Sequence, residues 1–222
     1  MLGVLCWAAD GVRLERVEVL GLPVLKVSLP AGGVWAKRRM KKAARLLVRH
    51  GVRKILPTKG FDSWEVPVRC GLRPVDPLPL YRSMGAELAL AALVVRGVDP
   101  SRAVVALAGE YADGDLVRTA QRLCPRVRMV VPVLEQGGEQ LARDLYLRFG
   151  AAVDLETQSD LCVRFCGARK AGELVLCAEP DLIGLRLDAS VPETELEKLP
   201  LLTALWQAGR LKQEEIRVVL DV

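Results

Sequence analysis

The sequence predicts an α/β protein: a mostly parallel sheet with helices on both faces and an antiparallel extension of strands towards the C-terminus. Three observations lead there. Ala103–Ala108 is an unbroken apolar run, and Val127–Val133 and Ala151–Leu155 are nearly so; strands covered on both faces look like this, whereas one-sided sheets alternate. The segments between them carry helical spacing, with Leu116, Val117, Ala120, Leu123 and Cys124 in one stripe and Leu141, Ala142, Leu145 and Phe149 in the other. Three buried strands joined by two crossover helices form a βαβαβ unit, the half-domain of a doubly wound fold.

The N-terminal half supplies further elements. Leu2–Ala8 is apolar, Asp10-Gly11 is a turn signal and Val12–Leu20 alternates, so a hairpin feeding the main sheet is expected. Gly21-Leu22-Pro23 interrupts the pattern before a strand over Val24–Leu29. A helix over Trp35–His50 follows, with Ala36, Met40, Ala43, Ala44, Leu47 and Val48 on one side. Its other side carries Arg38, Lys41, Lys42, Arg45 and Arg49. Arg53–Pro57 is the next strand and completes a second βαβ unit. Pro67–Pro79 is a stiff, extended connector.

Pro79–Gly97 reads as one helix, apolar nearly all round from Met84 to Val95, with Glu87 its only charge in that stretch. Such a helix is packed on several sides or pairs with a second copy as a homodimer. Glu87 is expected to reach solvent or an arginine. Leu161–Cys166, Glu173–Ala178 and Leu182–Leu187 are short runs between turns, expected as an antiparallel meander. Pro192–Gly209 reads as a helix burying Leu199, Leu202, Leu205 and Trp206. The organisation is a lobe of residues 1–100 with the hairpin and basic helix, and a lobe of residues 101–222. One continuous domain and sheet is the alternative.

At 222 residues, 51% apolar and 27% charged, the chain has core enough for either plan and is neither disordered nor membranous. No apolar run approaches the roughly 20 residues of a bilayer span, and Met1–Ala9 lacks the basic segment of a secretory signal. The expected address is cytoplasmic, without a membrane partner. Six cysteines in a chain this long do not suggest a disulfide scaffold. Cys162 and Cys166 have no second pair, and His50 is the only histidine, so no metal is expected.

Charge is distributed unevenly. Between Val19 and Phe61 there are eleven Lys or Arg residues and no acid, while the whole chain carries +5. A positive patch follows. It suits an acidic protein or nucleic acid, or is a solvated face that meets an acidic surface in the fold. No aromatic residues are interleaved with the charges to stack on bases, which weighs against nucleic acid.

Thr58–Trp64 follows a strand at its carboxyl end, where open α/β sheets place ligands, so Lys59, Asp62 and Trp64 are candidates by position. Ala103–Ala108 leads into Gly109-Glu110-Tyr111-Ala112-Asp113-Gly114-Asp115. Val127–Glu135 and Leu141–Val153 come next. This Rossmann-like pattern resembles the dinucleotide-binding half of shikimate dehydrogenase-like and glutamyl-tRNA reductase-like proteins, over about a quarter of the chain. The resemblance implies that Gly109 stands as the first fingerprint glycine and Glu135 as the acid that holds a ribose.

The pattern departs from that fingerprint at Tyr111, which fills the second glycine position. Glu110, Asp113 and Asp115 also crowd carboxylates into a turn where a pyrophosphate needs bare backbone. Asp115 reads as the helix N-cap and Asp113-Gly114 as a turn. No cofactor is expected, NAD(P) being disfavoured. Gly137 and Gly138 suit a phosphate or carboxylate, or form an ordinary strand-to-helix turn. No residue pair stands out for nucleophilic or acid–base catalysis, so enzyme status is open. The expectation is a small ligand in a crevice above Gly109, Tyr111, Gly114, Glu135, Gly137, Gly138 and Lys59. The alternative is an interaction module acting through Arg38, Lys41, Lys42, Arg45 and Arg49.

Overall fold

In the computed structural model, residues 1–8, 12–30, 32, 35–150 and 158–221 are described. The chain opens with strands β1 (Leu2–Ala8), β2 (Arg13–Val19) and β3 (Leu22–Pro30), then helix α1 (Ala36–Arg49). Next come β4 (Lys54–Pro57), α2 (Glu65–Arg69), β5 (Arg73–Pro74), α3 (Leu78–Ser83) and α4 (Gly85–Val95). The central stretch is β6 (Val104–Tyr111), α5 (Gly114–Leu123), β7 (Met129–Gln136), α6 (Gly138–Phe149) and β8 (Leu161–Arg164). It ends with β9 (Leu174–Val175), β10 (Leu185–Ala189), α7 (Lys198–Gln207) and β11 (Ile216–Leu220).

These elements form two compact units. One is Met1–Pro77 with Ala189–Ile216; the other is Leu78–Asp188 with the C-terminal residues from Arg217. The chain is thus α/β with mostly parallel sheets and an antiparallel C-terminal strand pair, β10 with β11. The parallel strands lie in two sheets rather than one. The helices Leu78–Ser83 and Gly85–Val95 belong to the second unit, and residues 189–216 return to the first.

The first unit's sheet has the order β2-β3-β1-β4-β5, with β1, β3, β4 and β5 parallel. Leu5 and Ile55 join the cluster under α1, made with Met40, Ala43, Ala44 and Leu47. Val4 and Leu56 point the other way along their strands and are equally buried, so both faces are covered. Each such side chain contributes about 1.5–3 kcal/mol by leaving water.

The expected hairpin changes partner. Leu20 and Gly21, both at positive φ (49° and 81°), turn β2 onto β3 antiparallel, a pair of dihedrals suited to a two-residue hairpin loop. The continuous apolar run of β1 takes the two-sided central position instead, between β3 and β4. The alternating β2 fits an edge.

In the second unit the order is β7-β6-β8-β9, all parallel. β6, α5, β7 and α6 form where the periodicity places them. Phe149, however, is exposed, and Thr119 rather than Val117 is buried in α5. The expected strand over Ala151–Leu155 lies outside the described residues. β8 occupies the place beside β6, so the run expected to open an antiparallel meander is a parallel core strand. β9 is parallel too, held to β8 through a fork between Arg164 and Glu173, at 2.5 and 2.7 Å. The single helix expected over Pro79–Gly97 is broken at Met84. α4 is packed by its own unit along most of its length, with Val94 and Val95 exposed at its end.

Candidate functional site

Taken as parallel strands in chain order, both sheets run second, first, third, fourth: β3-β1-β4-β5 and β7-β6-β8-β9. The chain leaves the first strand on one side and returns on the other. The resulting switch point, where open sheets bind ligands, lies at the carboxyl ends of β1 and β4 in one unit and of β6 and β8 in the other.

In the second unit that place is filled by the protein's own side chains. Asp113, not Asp115, is the N-cap of α5, and its carboxylate accepts hydrogen bonds from the amides of Asp115 (3.0 Å) and Leu116 (2.9 Å). Those amides are the ones a bound anion would use. Arg82 donates to Asp113, reaches Asp115 at 3.4 Å, and lies 5.4 Å over the ring of Phe165 beyond β8. Arg118 pairs with the same Asp115. Two carboxylates and two guanidiniums therefore neutralise the turn internally. Gly109 sits in β6, Gly114 opens α5, and Tyr111 ends β6 with its side chain 60% exposed, opposite Gln136 in register.

Glu135, Gly137 and Gly138 are brought together. They line a cleft of ≈ 500 Å³ beyond β7 with Glu139, Gln140 and Arg143. Gly137 caps α6 in the left-handed region (φ 78°), which a glycine adopts without strain. Two glutamates in this cleft oppose an anion at the helix end.

Lys59 belongs to the first unit, whereas the other residues expected around one crevice belong to the second. Around it the first unit builds a different site. The hydroxyl of Thr58 donates to the carbonyl of Leu5 (3.4 Å), tying the end of β4 to β1. Phe61 is buried between Trp7 of β1, stacked with ring centroids 6.1 Å apart, and Trp64, edge-on at 5.0 Å. Beside this aromatic cluster lies a pocket of ≈ 790 Å³. Pro57, Trp64, Val68, Val75, Leu199 and Pro200 supply apolar wall; Lys59, Lys198, Asp76 and Glu197 supply charge. Asp62 lies outside this lining and accepts a hydrogen bond from Ser63.

Two sides of this pocket were hidden in the sequence. The segment 195–200 arrives from far along the chain, through the Thr58–Leu196 bridge and the bond from Lys59 N–H to the Glu195 carbonyl, 2.8 Å. Prolines of the connector, read only as a spacer, form another side. The local signal was the position of Lys59 and Trp64 after a strand.

The basic residues expected on one helix face stand there: Arg38, Lys41, Lys42, Arg45 and Arg49 are all exposed on α1. Glu87 meets Arg122 at 3.3 Å and Arg126 at 3.9 Å. The cysteines are free. Burial pushes the thiols of Cys124 and Cys162 up to about 11, and for Cys162 a hydrogen bond with Glu173 adds to this, which leaves them poor nucleophiles and ligands at neutral pH. Among the described residues, no three His, Cys, Asp or Glu side chains group as a metal site, and no helix is long and apolar enough to cross a membrane. Compared with known proteins, the chain matches no family model and no curated relative.

Proposed function

We propose that the protein binds a small amphipathic acid in the first unit, at the carboxyl ends of β4 and β5. The observation that carries this reading is the ≈ 790 Å³ pocket with Lys59 at its rim. Its size falls among small-molecule sites, and such sites combine apolar walls with a few convergent polar groups. Apolar lining from Trp64, Val68, Leu199 and four prolines favours a hydrocarbon or aromatic body. The Lys59 ammonium, which makes no ion pair among the described residues, supplies the anchor for a carboxylate or phosphate.

The second unit's switch point argues against a dinucleotide. A pyrophosphate at the start of α5 would have to displace the Asp113 carboxylate from two amides and from Arg82. The six free cysteines fit a reducing compartment, in keeping with a cytoplasmic protein.

The test is a thermal melt against a panel of small aromatic and aliphatic acids, with NAD(P)H alongside. A bound acid at about a hundred times its Kd adds about 2.7 kcal/mol, a rise of roughly 5–10 °C for a chain this size. Lys59→Met should abolish the rise. If NAD(P)H raises the melting temperature and no acid does, the proposal is lost.

A further inference from the structure

The cationic face of α1 is almost unpaired among the described residues. Of the α1 cations, Lys37 alone lies within ion-pair distance of a carboxylate among the described residues, meeting Glu65 at 3.9 Å. At about 100° per residue, Arg38, Lys41, Lys42, Arg45 and Arg49 fall within about 60° of one direction. Met40, Ala43, Ala44 and Leu47 occupy the opposite side and are buried in the core. The stripe is therefore fixed in place by packing, and the helix has no apolar face left to insert elsewhere.

Trp35 joins the same stripe. It precedes Arg38 by three residues, immediately before the helix begins, and is 59% exposed, with the Arg38 guanidinium 5.4 Å from its ring centroid. This is an aromatic on the charged face, which the pattern of charges within the helix did not reveal. Trp35 and the cations line a surface groove of ≈ 780 Å³; Arg69 of α2 stands beside Lys41 and Arg45 but is paired with Glu65 at 3.0 Å.

We propose that this face binds single-stranded nucleic acid, with the backbone along the cations and one base stacked on Trp35. Phosphates match an unpaired row of guanidiniums and ammoniums. An exposed indole beside that row adds base stacking, the feature that separates a single-strand site from a plain electrostatic surface. An anionic membrane would engage the same charges. It has less use for a helix whose apolar side is sealed in the core, and interfacial helices bury that side in lipid. The stripe from Arg38 to Arg49 is about 16 Å long and presents five cations, which sets the upper number of phosphates it can meet.

The test uses the full chain and a fluorescent oligo(dT) of roughly twelve nucleotides, followed by anisotropy across a salt series. Five phosphate contacts give a slope of about −3.5 in log K against log salt for a single strand. The double variant Lys41→Gln/Arg45→Gln should lower affinity at least tenfold and reduce the slope to about −2. Trp35→Ala should weaken the single strand about tenfold, leave the slope unchanged, and weaken a duplex of equal length far less. Arg148→Glu, on α6 in the other unit, should change nothing. Melting of each variant checks that it folds. The proposal fails if the oligonucleotide is not retained at about 50 mM salt, or if the double variant binds as well as the parent. It also fails if Trp35→Ala affects duplex and single strand alike, or if phosphatidylserine vesicles are bound and oligonucleotides are not.

Discussion

Glu173 shows how much one side chain contributes to the second unit. It is nearly buried, forked by Arg164, and also accepts the Lys170 amide at 3.0 Å. The hydrogen bonds from Arg164 hold its carboxyl down to about 2, against an opposing effect of burial. Because the folded value lies below the unfolded one, the stabilisation is complete above pH about 4.5 and is lost as pH falls towards 2. Glu173→Gln should cost about 3 kcal/mol at neutral pH, since Arg164 is left buried without its partner. In denaturant titrations the parent should weaken on acidification through that window, and the variant should lose this component. An unchanged acid profile in Glu173→Gln would show that the carboxylate is not what titrates.

Asp113 is the second informative residue. Asp113→Ala removes an N-cap, worth about 1 kcal/mol, and strips Arg82 of its nearest carboxylate. A loss of about 2 kcal/mol by urea denaturation is expected. A neutral result would mean that the turn does not depend on its own carboxylate. The sequence showed the crowding of acids in this turn but named Asp115 as the cap. What it hid was Arg82, 31 positions away, which donates to the same Asp113 carboxylate that caps the helix.

At the scale of elements, α4 and α5 touch through a glycine. A Cβ on Gly85 would stand 2.7 Å from Thr119 Oγ1 and 3.3 Å from Leu176 Cδ1. Gly85→Ala should destabilise by about 1–3 kcal/mol through overpacking. Adding Thr119→Ala should recover part of that loss, a coupling of about 1 kcal/mol in a double-mutant cycle by urea denaturation. Strict additivity would mean the helices move apart freely.

The elements themselves were largely legible, because burial on one or two faces is a local pattern: α1, β6, α5, β7 and α6 follow their periodicity. Partners were not. β1 looked like half of a hairpin because a turn signal follows it, yet its unbroken apolar run required a neighbour on each side. β8 and β9 looked like a meander because glycines separate them, and only the long-range pairing with β6 makes them parallel. Trp35 opened the expected helix, yet its position three residues before Arg38, in line with the charged stripe, went unread because only the cations were traced along that face.

For the molecule as a whole, the candidate residues divide between two units. Gly109, Tyr111, Gly114, Glu135, Gly137 and Gly138 belong to one, and Lys59 and the basic stripe to the other. The single crevice expected from strand ends became two switch points of the same topology. One is closed by the Asp113–Arg82 pair, while the other lies beside an open pocket. The pocket walls come from residues 57–77 and 197–200, a juxtaposition that no local pattern encodes. The most direct measurement is a crystal structure with the acid that most raises the melting temperature. The expected result is the acid's body against Trp64 and Leu199, its anionic group at Lys59, and Asp113 still capping α5. Ligand seated at the start of α5, with Asp113 displaced and the Lys59 pocket empty, would contradict the account.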